Sequence, residues 1–192
     1  MTVVLTTQDL VVRKGGTPVT LVAEEGLTIV QTRREAGGSR LAMALADRFK
    51  PHSGTVDGPG FKRTALAGAE FIDTLERQVS ARESIREQVA WAQPFFSRVP
   101  KDIMSHKFVE PWLEPLRLED LDVDKTVGEL GVMDRFRLRI MLALVSRPNA
   151  ELLVVDDVDQ VKKMALRHRI MDDLEVVATY LPVIVTTVNE EQ

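Results

Sequence analysis

The feature that most constrains the fold is a strand-like run, a short glycine-containing loop and a helix-like stretch, all within residues 27–50. The run LTIV at 27–30 predicts a buried strand, because four apolar or β-branched residues follow one another. A loop with adjacent glycines, Gly37 and Gly38, then leads to Ser39. The next residues predict a helix at 39–50, because the apolar side chains recur four residues apart, at Leu41, Leu45 and Phe49.

Further apolar runs along the chain predict a mainly parallel α/β sheet. Residues 1–30 predict a hairpin that leads into the first buried strand, and residues 61–72 predict another strand. Near the end of the chain, ELLVVDD and LPVIVTTV predict two more strands, with helices at 134–145 and near 161–178. Because strands and helices alternate, a sheet of parallel strands is favoured.

The middle of the chain differs from the rest in its composition and sequence pattern. From about Ala81 to Leu130 it is charged, helix-like and interrupted by four prolines: Pro94, Pro100, Pro111 and Pro115. We interpret this stretch as a helical subdomain inserted into the α/β core. The expected organisation is therefore a β-rich part with the first loop at 1–80, the helical subdomain at 81–130, and the remaining core at 131–192.

Composition excludes several classes of function. The chain has 192 residues, is 44% hydrophobic and 28% charged, and has a formal net charge of -4. Because duplex-binding domains usually carry a basic face, we expect no nucleic-acid partner. Cysteine is absent, which excludes disulfides and thiolate metal sites and is typical of a reducing cytosol. Neither a signal peptide nor an apolar run of about 20 residues occurs, so we expect no membrane span.

Two candidate functional elements are expected at one edge of the sheet. The loop at 31–40 follows one strand, and the pair Asp156–Asp157 follows another. In open α/β sheets ligands bind outside the carboxyl ends of the strands, so these elements are candidates for one site. Asp156 and Asp157 are also suited simply to cap the next helix or solvate the strand end. The arginines Arg33, Arg34 and Arg40 fit either a solvated loop or an anion- or partner-binding patch.

Four stretches in order resemble the nucleotide-binding domain of ABC-type ATPases. LAMALADRFKPHSGTVDG is similar to the helix and turn after that family's Walker A loop, and VSARESI is similar to the opening of its helical subdomain. LRLEDLDVDKTVGEL resembles the approach to the signature motif. RLRIMLALVSRPNAELLVVDD resembles the signature helix that runs into the Walker B strand. The resemblance implies a P-loop NTPase-like core sheet with a β-rich N-terminal part and an inserted helical subdomain.

The resemblance aligns the family's phosphate-binding loop with residues 32–40. In that loop backbone N–H groups cradle the phosphates, a Lys reaches them and a Ser or Thr hydroxyl binds Mg²⁺. Here Gly37 keeps one glycine and Ser39 keeps the Mg²⁺ hydroxyl, but Gly38 stands at the Lys position. Thr32 and Glu35 replace glycines, and Glu35 adds negative charge. Arg40 is a candidate substitute for the missing cation.

The other nucleotide motifs depart from the family in the same direction. Lys14 stands where an aromatic residue stacks on adenine, and Val188 stands at the switch His position. Asp156 matches the Mg²⁺-associated Asp, whereas Asp157 replaces the catalytic Glu with a shorter side chain. Asp73 is the nearest candidate for the γ-phosphate-sensing Gln. The signature-like segment keeps only the leucine of Leu-Ser-Gly-Gly-Gln, and comprises Leu130, Gly131, Val132, Met133 and Asp134.

These departures favour a subunit that keeps the ABC shape with little or no ATP hydrolysis. Such a pseudo-ATPase is expected to dock on a membrane permease or a paired ATPase subunit, as a homo- or heterodimer, at the inner face of the membrane. One alternative is a divergent, active transport ATPase that uses Mg-ATP. A second alternative is a free-standing regulatory or scaffold protein.

Four aromatic residues are the candidates for partner contacts. Trp91, Phe95 and Phe96 lie in the stretch AWAQPFF, and Trp112 lies further along the subdomain. The first interpretation of AWAQPFF is that it belongs to the core of the subdomain. The alternative is that these aromatics line a groove for a partner helix, since aromatic residues are frequent interface anchors.

Overall fold

Two sheets and four α-helices form the described part of the chain. The structure is a computed structural model that describes residues 2–32, 38–69 and 75–188. The strands are β1 (Val3–Val11), β2 (Val19–Glu24), β3 (Leu27–Gln31), β4 (Ser53–Asp57), β5 (Thr64–Ala67), β6 (Leu152–Val155) and β7 (Val183–Thr187). The helices are α1 (Gly38–Leu45), α2 (Ala81–Ala92), α3 (Val132–Val145) and α4 (Met164–Val177).

The larger sheet confirms the predicted α/β class. Its four strands have the order β3-β7-β6-β5 and all three neighbouring pairs are parallel. The smaller sheet is antiparallel, with the order β2-β1-β4, and β1–β2 is the predicted hairpin. Because β7 lies between β3 and β6, the ends of β3 and β6 are two strand spacings apart, about 10 Å.

The parallel sheet is covered on both faces, as its continuous apolar strands require. Alternate residues point to opposite faces, so each strand contributes to two cores. Leu152, Val154 and Ile184 pack with α1 and the antiparallel sheet in one cluster of buried residues. Leu153, Val155, Val183 and Val185 pack with α2, α3 and α4 in the other. The sheet therefore holds the β-rich part and the helices in one framework.

Helix α1 is shorter than predicted. It ends at Leu45 rather than near residue 50. Asp47 has a φ of 54°, a left-handed conformation that ends the α-helical path. Its carboxylate Oδ2 accepts a hydrogen bond from the backbone N–H of Phe61 at 3.2 Å, which ties this turn to the segment before β5.

The predicted helical subdomain contains less helix than the sequence indicates. Helix α2 begins with a capping box in which Ser80 and Glu83 satisfy each other's backbone N–H groups. Beyond it, the helix-like stretches within 101–129 are wrong as α-helix predictions: they form turns and one 3₁₀ helix, Glu110–Trp112. Proline at 100, 111 and 115 disfavours longer helices, since each lacks a backbone donor. Arg117 also adopts a φ of 49°.

A buried carboxylate joins this irregular segment to the core. Asp173 of α4 is 1% exposed, and its Oδ2 lies 2.7 Å from Nε of Arg137 on α3. Its Oδ1 lies 3.1 Å from Nε of Arg117 in the segment after α2. The ring of Trp112 also meets that of Tyr180 edge to face, with centroids 6.0 Å apart. Two separate contacts therefore connect the segment to the region around α4.

Candidate functional site

The end of β3 and the start of α1 frame the predicted phosphate-binding loop. The backbone N–H of Thr32 donates to the Thr187 carbonyl at 2.7 Å, which extends the β3–β7 pairing. Gly38 is the first residue of α1, and a Cβ built on it would lie 3.1 Å from Oγ1 of Thr32. Ser39 is half-buried and Arg40 is exposed. The loop positions Arg33, Arg34, Glu35 and Gly37 lie outside the described residues.

At the end of β6, Asp156 is enclosed by its neighbours. Its carboxylate Oδ1 accepts a 2.6 Å hydrogen bond from Oγ1 of Thr186, and the residue is 1% exposed. Its backbone N–H donates to Ala67 at 2.8 Å. Gly68, with a φ of +85°, lies so close that a Cβ would collide with the carbonyl oxygen of Asp156. The fold therefore places Asp156 at the predicted edge but largely shields its carboxylate from solvent.

Asp157 turns the chain sharply after β6. It has φ and ψ of 49° and 64°, which is the left-handed region, and precedes the 3₁₀ helix Val158–Gln160. Its backbone N–H donates to Oγ1 of Thr186 at 3.2 Å, so one hydroxyl serves both aspartates of the pair. The structure does not assign a catalytic role to Asp157, and its match to the glutamate position stays a prediction.

A third aspartate, Asp159, is the residue that the sequence did not single out. Its Oδ2 accepts hydrogen bonds from Oγ1 of Thr187 at 2.8 Å and from the backbone N–H of Val188 at 2.6 Å. Its Oδ1 lies 3.3 Å from Nη1 of Arg167, and both side chains are largely buried. The two hydrogen-bonded contacts join residues 28 and 29 positions apart in the sequence, so no local sequence pattern predicts them. Asp159 ties the loop after β6 to the predicted switch position.

The signature-like segment forms the start of α3. Leu130 is buried and Gly131 is the N-cap, with φ and ψ of -60° and 159°. Val132 is 45% exposed, whereas Met133 and Asp134 are half-buried in the first turn. A Cβ on Gly131 would lie 3.6 Å from Oδ2 of Asp134, so this carboxylate lies over the helix start. A negative charge there is favourable, because the first backbone N–H groups of a helix carry partial positive charge.

The remaining predicted positions are spread over the molecule. Lys14 is exposed in the connection between β1 and β2. Asp73 lies outside the described residues. Within the described ranges, no group of three or more His, Asp or Glu side chains is arranged to hold a metal ion. No helix there is both long enough and apolar enough to cross a membrane.

The aromatic residues at the end of α2 are on the surface, so the interpretation that they belong to the subdomain core is wrong. Trp91 is 79% exposed, Phe95 is 99% exposed and Phe96 is 85% exposed. Trp91 lies on α2 but is not among its buried residues, which are Ala81, Ile85 and Val89. The helix ends at Ala92, so Phe95 and Phe96 follow the helix end and Pro94. Trp112 is half-buried against Tyr180 and the adjoining core, so it has a structural contact of its own.

Several solved components of ABC transporters are similar in structure to this chain. An ATP-binding cassette of an ABC transporter superposes with a TM-score of 0.77 at 16% identity, covering 100% of this chain and 83% of the other. CbiO1 of Clostridium perfringens, part of the ABC transporter complex cbiONQ, gives a TM-score of 0.74 at 15% identity, covering 99% and 80%. An ABC transporter ATP-binding protein from Pyrococcus furiosus gives 0.69 at 20% identity, covering 98% and 92%.

Sequence comparison adds nothing to this structural likeness, because no protein-family model and no curated protein sequence matches the chain. The likeness nevertheless extends over nearly the whole chain and over most of each neighbour. It also agrees with the parallel sheet, the antiparallel β-rich part and the segment inserted between β5 and α3. The chain therefore has the fold of the ATP-binding cassette domains of ABC transporters.

Proposed function

We propose that this chain is an ABC-type subunit that acts through its shape rather than through ATP hydrolysis, and that it docks on a membrane permease or on a paired ATPase subunit. The observation that carries the proposal is the arrangement around Asp156, Asp159 and Val188. Here side chains of the protein itself make the contacts that hold the loop after β6 to the end of β7.

The proposal is supported by two described positions that differ from what the resemblance implies for a magnesium–triphosphate site. Gly38, at the Lys position, has no cation, and a longer side chain there would press on Thr32 Oγ1 at 3.1 Å. Asp156, at the metal-associated position, is 1% exposed and has one carboxylate oxygen engaged by Thr186. Ser39, the other predicted metal ligand, keeps the hydroxyl of that position. Without a lysine at position 38, less of the charge of a triphosphate is compensated at this edge.

The signature-like segment supports the same interpretation. Under the resemblance, its glycines would let the backbone of α3 approach the γ-phosphate of a nucleotide on the opposite subunit. Val132 and Met133 place side chains there instead, and Asp134 brings a carboxylate to the same helix start. Like charges at close range are unfavourable, so a carboxylate at this position opposes phosphate binding.

Docking is supported by the aromatic residues at the end of α2. Trp91, Phe95 and Phe96 lie within six residues of sequence and are each at least 79% exposed. Large exposed apolar side chains that are grouped together commonly mark interaction sites. We propose that a short helix or loop of a membrane protein covers them, which would place the chain at the inner face of the membrane.

The direct test of the catalytic part is a steady-state ATP hydrolysis assay on the purified chain. We expect a rate indistinguishable from that of the matched variant Asp156→Asn. A wild-type rate of about 1 s⁻¹ or more, within the ordinary range of enzymes, that disappears in Asp156→Asn would instead establish the divergent transport ATPase.

The docking part is tested separately by co-purification with membranes from cells that express the chain. Recovery of a permease or ATPase subunit supports docking. If the chain is found with no membrane protein while hydrolysis is absent, the free-standing scaffold or regulatory function is the better account.

A further inference from the structure

A cavity of about 340 Å³ lies between the start of α3 and the 3₁₀ helix that follows β6. Its walls are apolar in large part, with Leu75, Val127 and Phe136 among them. Three arginines also line it: Arg77, Arg135 and Arg139. The nine described lining residues include no aspartate or glutamate, although the chain as a whole carries a net charge of -4.

The arginines come from different parts of the chain, and two of them are held in place by hydrogen bonds. Arg135 and Arg139 are four residues apart on α3, so they project from one face of the helix. Nη1 of Arg139 donates to Oε1 of Gln160 at 2.9 Å, which fixes that guanidinium against the opposite wall. Nη1 of Arg135 donates to the Gly128 carbonyl at 3.3 Å.

Arg77 reaches the cavity because a glycine lies beneath it. The backbone N–H of Gly128 donates to the Arg77 carbonyl at 2.8 Å. A Cβ added to Gly128 would lie 2.9 Å from that carbonyl oxygen and 3.6 Å from Nε of Arg77. The close approach therefore depends on the missing side chain, and it brings Arg77 to the same cavity as the two arginines of α3.

A guanidinium has five N–H donors in a planar fork that matches a carboxylate. Among the described residues, Arg135 uses one donor for Gly128, and no described ion pair involves Arg77. Cavities of a few hundred Å³ with apolar walls and a few convergent polar groups are typical ligand sites. We propose that this cavity binds a carboxylate attached to an apolar body, with Arg77 and Arg135 as the carboxylate-binding residues.

This inference goes beyond the proposed function, because it requires neither nucleotide nor the exposed aromatics of α2. The same carboxylate chemistry is available from a free organic acid or from an acidic side chain beside an apolar residue in a protein segment. The apolar walls favour such a ligand over inorganic phosphate, which has no apolar part to bury.

The test is a titration with hexanoate, followed through the backbone amide NMR signals of residues 127–139. For a ligand of this size we expect weak binding, with a dissociation constant of about 1 mM. Arg77→Gln and Arg135→Gln should each weaken binding about tenfold, the loss expected for one charge-assisted hydrogen bond. Arg169→Gln, an exposed arginine of α4 outside the cavity, is the matched control and should bind as the wild type does.

Two further probes complete the design. Hexanol has the same apolar chain without the charge, and the blocked peptide acetyl-Phe-Glu-Leu-amide presents the carboxylate within a protein-like segment. Tighter binding of the peptide identifies a protein segment as the source, and tighter binding of hexanoate identifies a free acid. Equal binding of hexanol and hexanoate, unchanged binding in both arginine variants, or no shift with hexanoate or peptide would each overturn the proposal.

Discussion

The candidate functional residues at the carboxyl edge of the parallel sheet and those at the end of α2 differ in how far they are exposed to solvent. At the sheet edge, Asp156 is buried and Asp159 is half-buried, and both are hydrogen-bonded to residues of β7 or directly after it. At the end of α2, Trp91, Phe95 and Phe96 lie on the surface with at most 21% of their area covered, since each is at least 79% exposed. In the first region the carboxylates bond to other parts of the chain, whereas the second region leaves apolar surface to be covered.

This contrast indicates which region is available to bind a partner. Polar groups that are buried and satisfied stabilise a fold, and displacing them for a ligand costs the hydrogen bonds they already make. Exposed aromatic rings instead gain free energy when a partner removes them from water. The comparison therefore predicts a large effect on stability at the sheet edge and a large effect on association at α2.

The largest expected effect on stability is at Asp159. Asp159→Ala removes the acceptors of Thr187 and Val188 and leaves Arg167 without its partner carboxylate. Breaking a largely buried ion pair from one side typically costs 3–5 kcal/mol, so we expect a free energy of unfolding lower by about 3 kcal/mol. Urea denaturation measures it.

The matched control is Asp172→Ala, which removes an exposed carboxylate from α4. Its expected change is within about 0.5 kcal/mol. If Asp159→Ala were no more destabilising than this control, the contacts of Asp159 would not stabilise the sheet edge as the comparison requires.

An effect of intermediate size on the free energy of unfolding is expected at Trp112, and a much smaller effect at Trp91. Trp112 is half-buried and its ring contacts Tyr180, so Trp112→Ala should lower the free energy of unfolding by about 2 kcal/mol, below the 3–5 kcal/mol of fully buried aromatics. Trp91→Ala with Phe95→Ala removes exposed rings and should stay within about 0.5 kcal/mol.

The same variants separate stability from docking. Recovery of the chain with membrane proteins should fall for Trp91→Ala with Phe95→Ala, although this double variant stays folded. Equal recovery of the double variant and the wild type would remove the end of α2 from the account of docking.

The smallest expected effect is a pH dependence within the segment after α2. Burial lowers the pKa of His106 below its usual value of 6.5, and the nearby positive charge of Lys107 lowers it further. The neutral ring also accepts a hydrogen bond at Nδ1 from the backbone N–H of Phe108 at 3.2 Å. Because the folded state binds the proton less readily, its stability is present above the unfolded pKa and is lost as the pH falls below about 6.5.

Denaturation of the wild type and of His106→Gln at pH 8 and pH 5.5 measures this dependence. The difference between the two pH values should be smaller in the variant, since glutamine does not titrate. An identical difference in both proteins would show that other groups cause the pH dependence.

The sequence predicts the strands well and the irregular segment poorly, for a physical reason. Buried parallel strands require continuous apolar runs, and such runs are visible in ELLVV and LPVIV. The run at 27–30 also forms a strand, but its prediction as a buried strand is wrong, because β3 lies at the sheet edge with only Val30 buried. In the segment after α2, prolines interrupt the helix-like pattern. Arg117 also has a left-handed backbone conformation there, and its side chain contacts Asp173, which is far away in the sequence. Contacts of that kind have no local signature.

The candidate site shows the same limit. Asp156 could be located from the apolar strand before it, because a strand end is a local feature. Asp159 could not, since its role depends on Thr187 and Val188 across the sheet. The exposure of Phe95 and Phe96 could not be predicted from the sequence either. Apolar residues next to a helix are expected to be buried unless the turn at Pro94 is known.

The most direct test of the central claim, that the chain does not depend on nucleotide, is thermal unfolding with increasing Mg-ATP. A ligand that binds only the folded state adds about 2.7 kcal/mol at 100 times its dissociation constant. The account predicts an unchanged Tm at millimolar Mg-ATP, matching that of Asp156→Asn under the same conditions. A saturable rise in the Tm of the wild type, absent from Asp156→Asn, would contradict it.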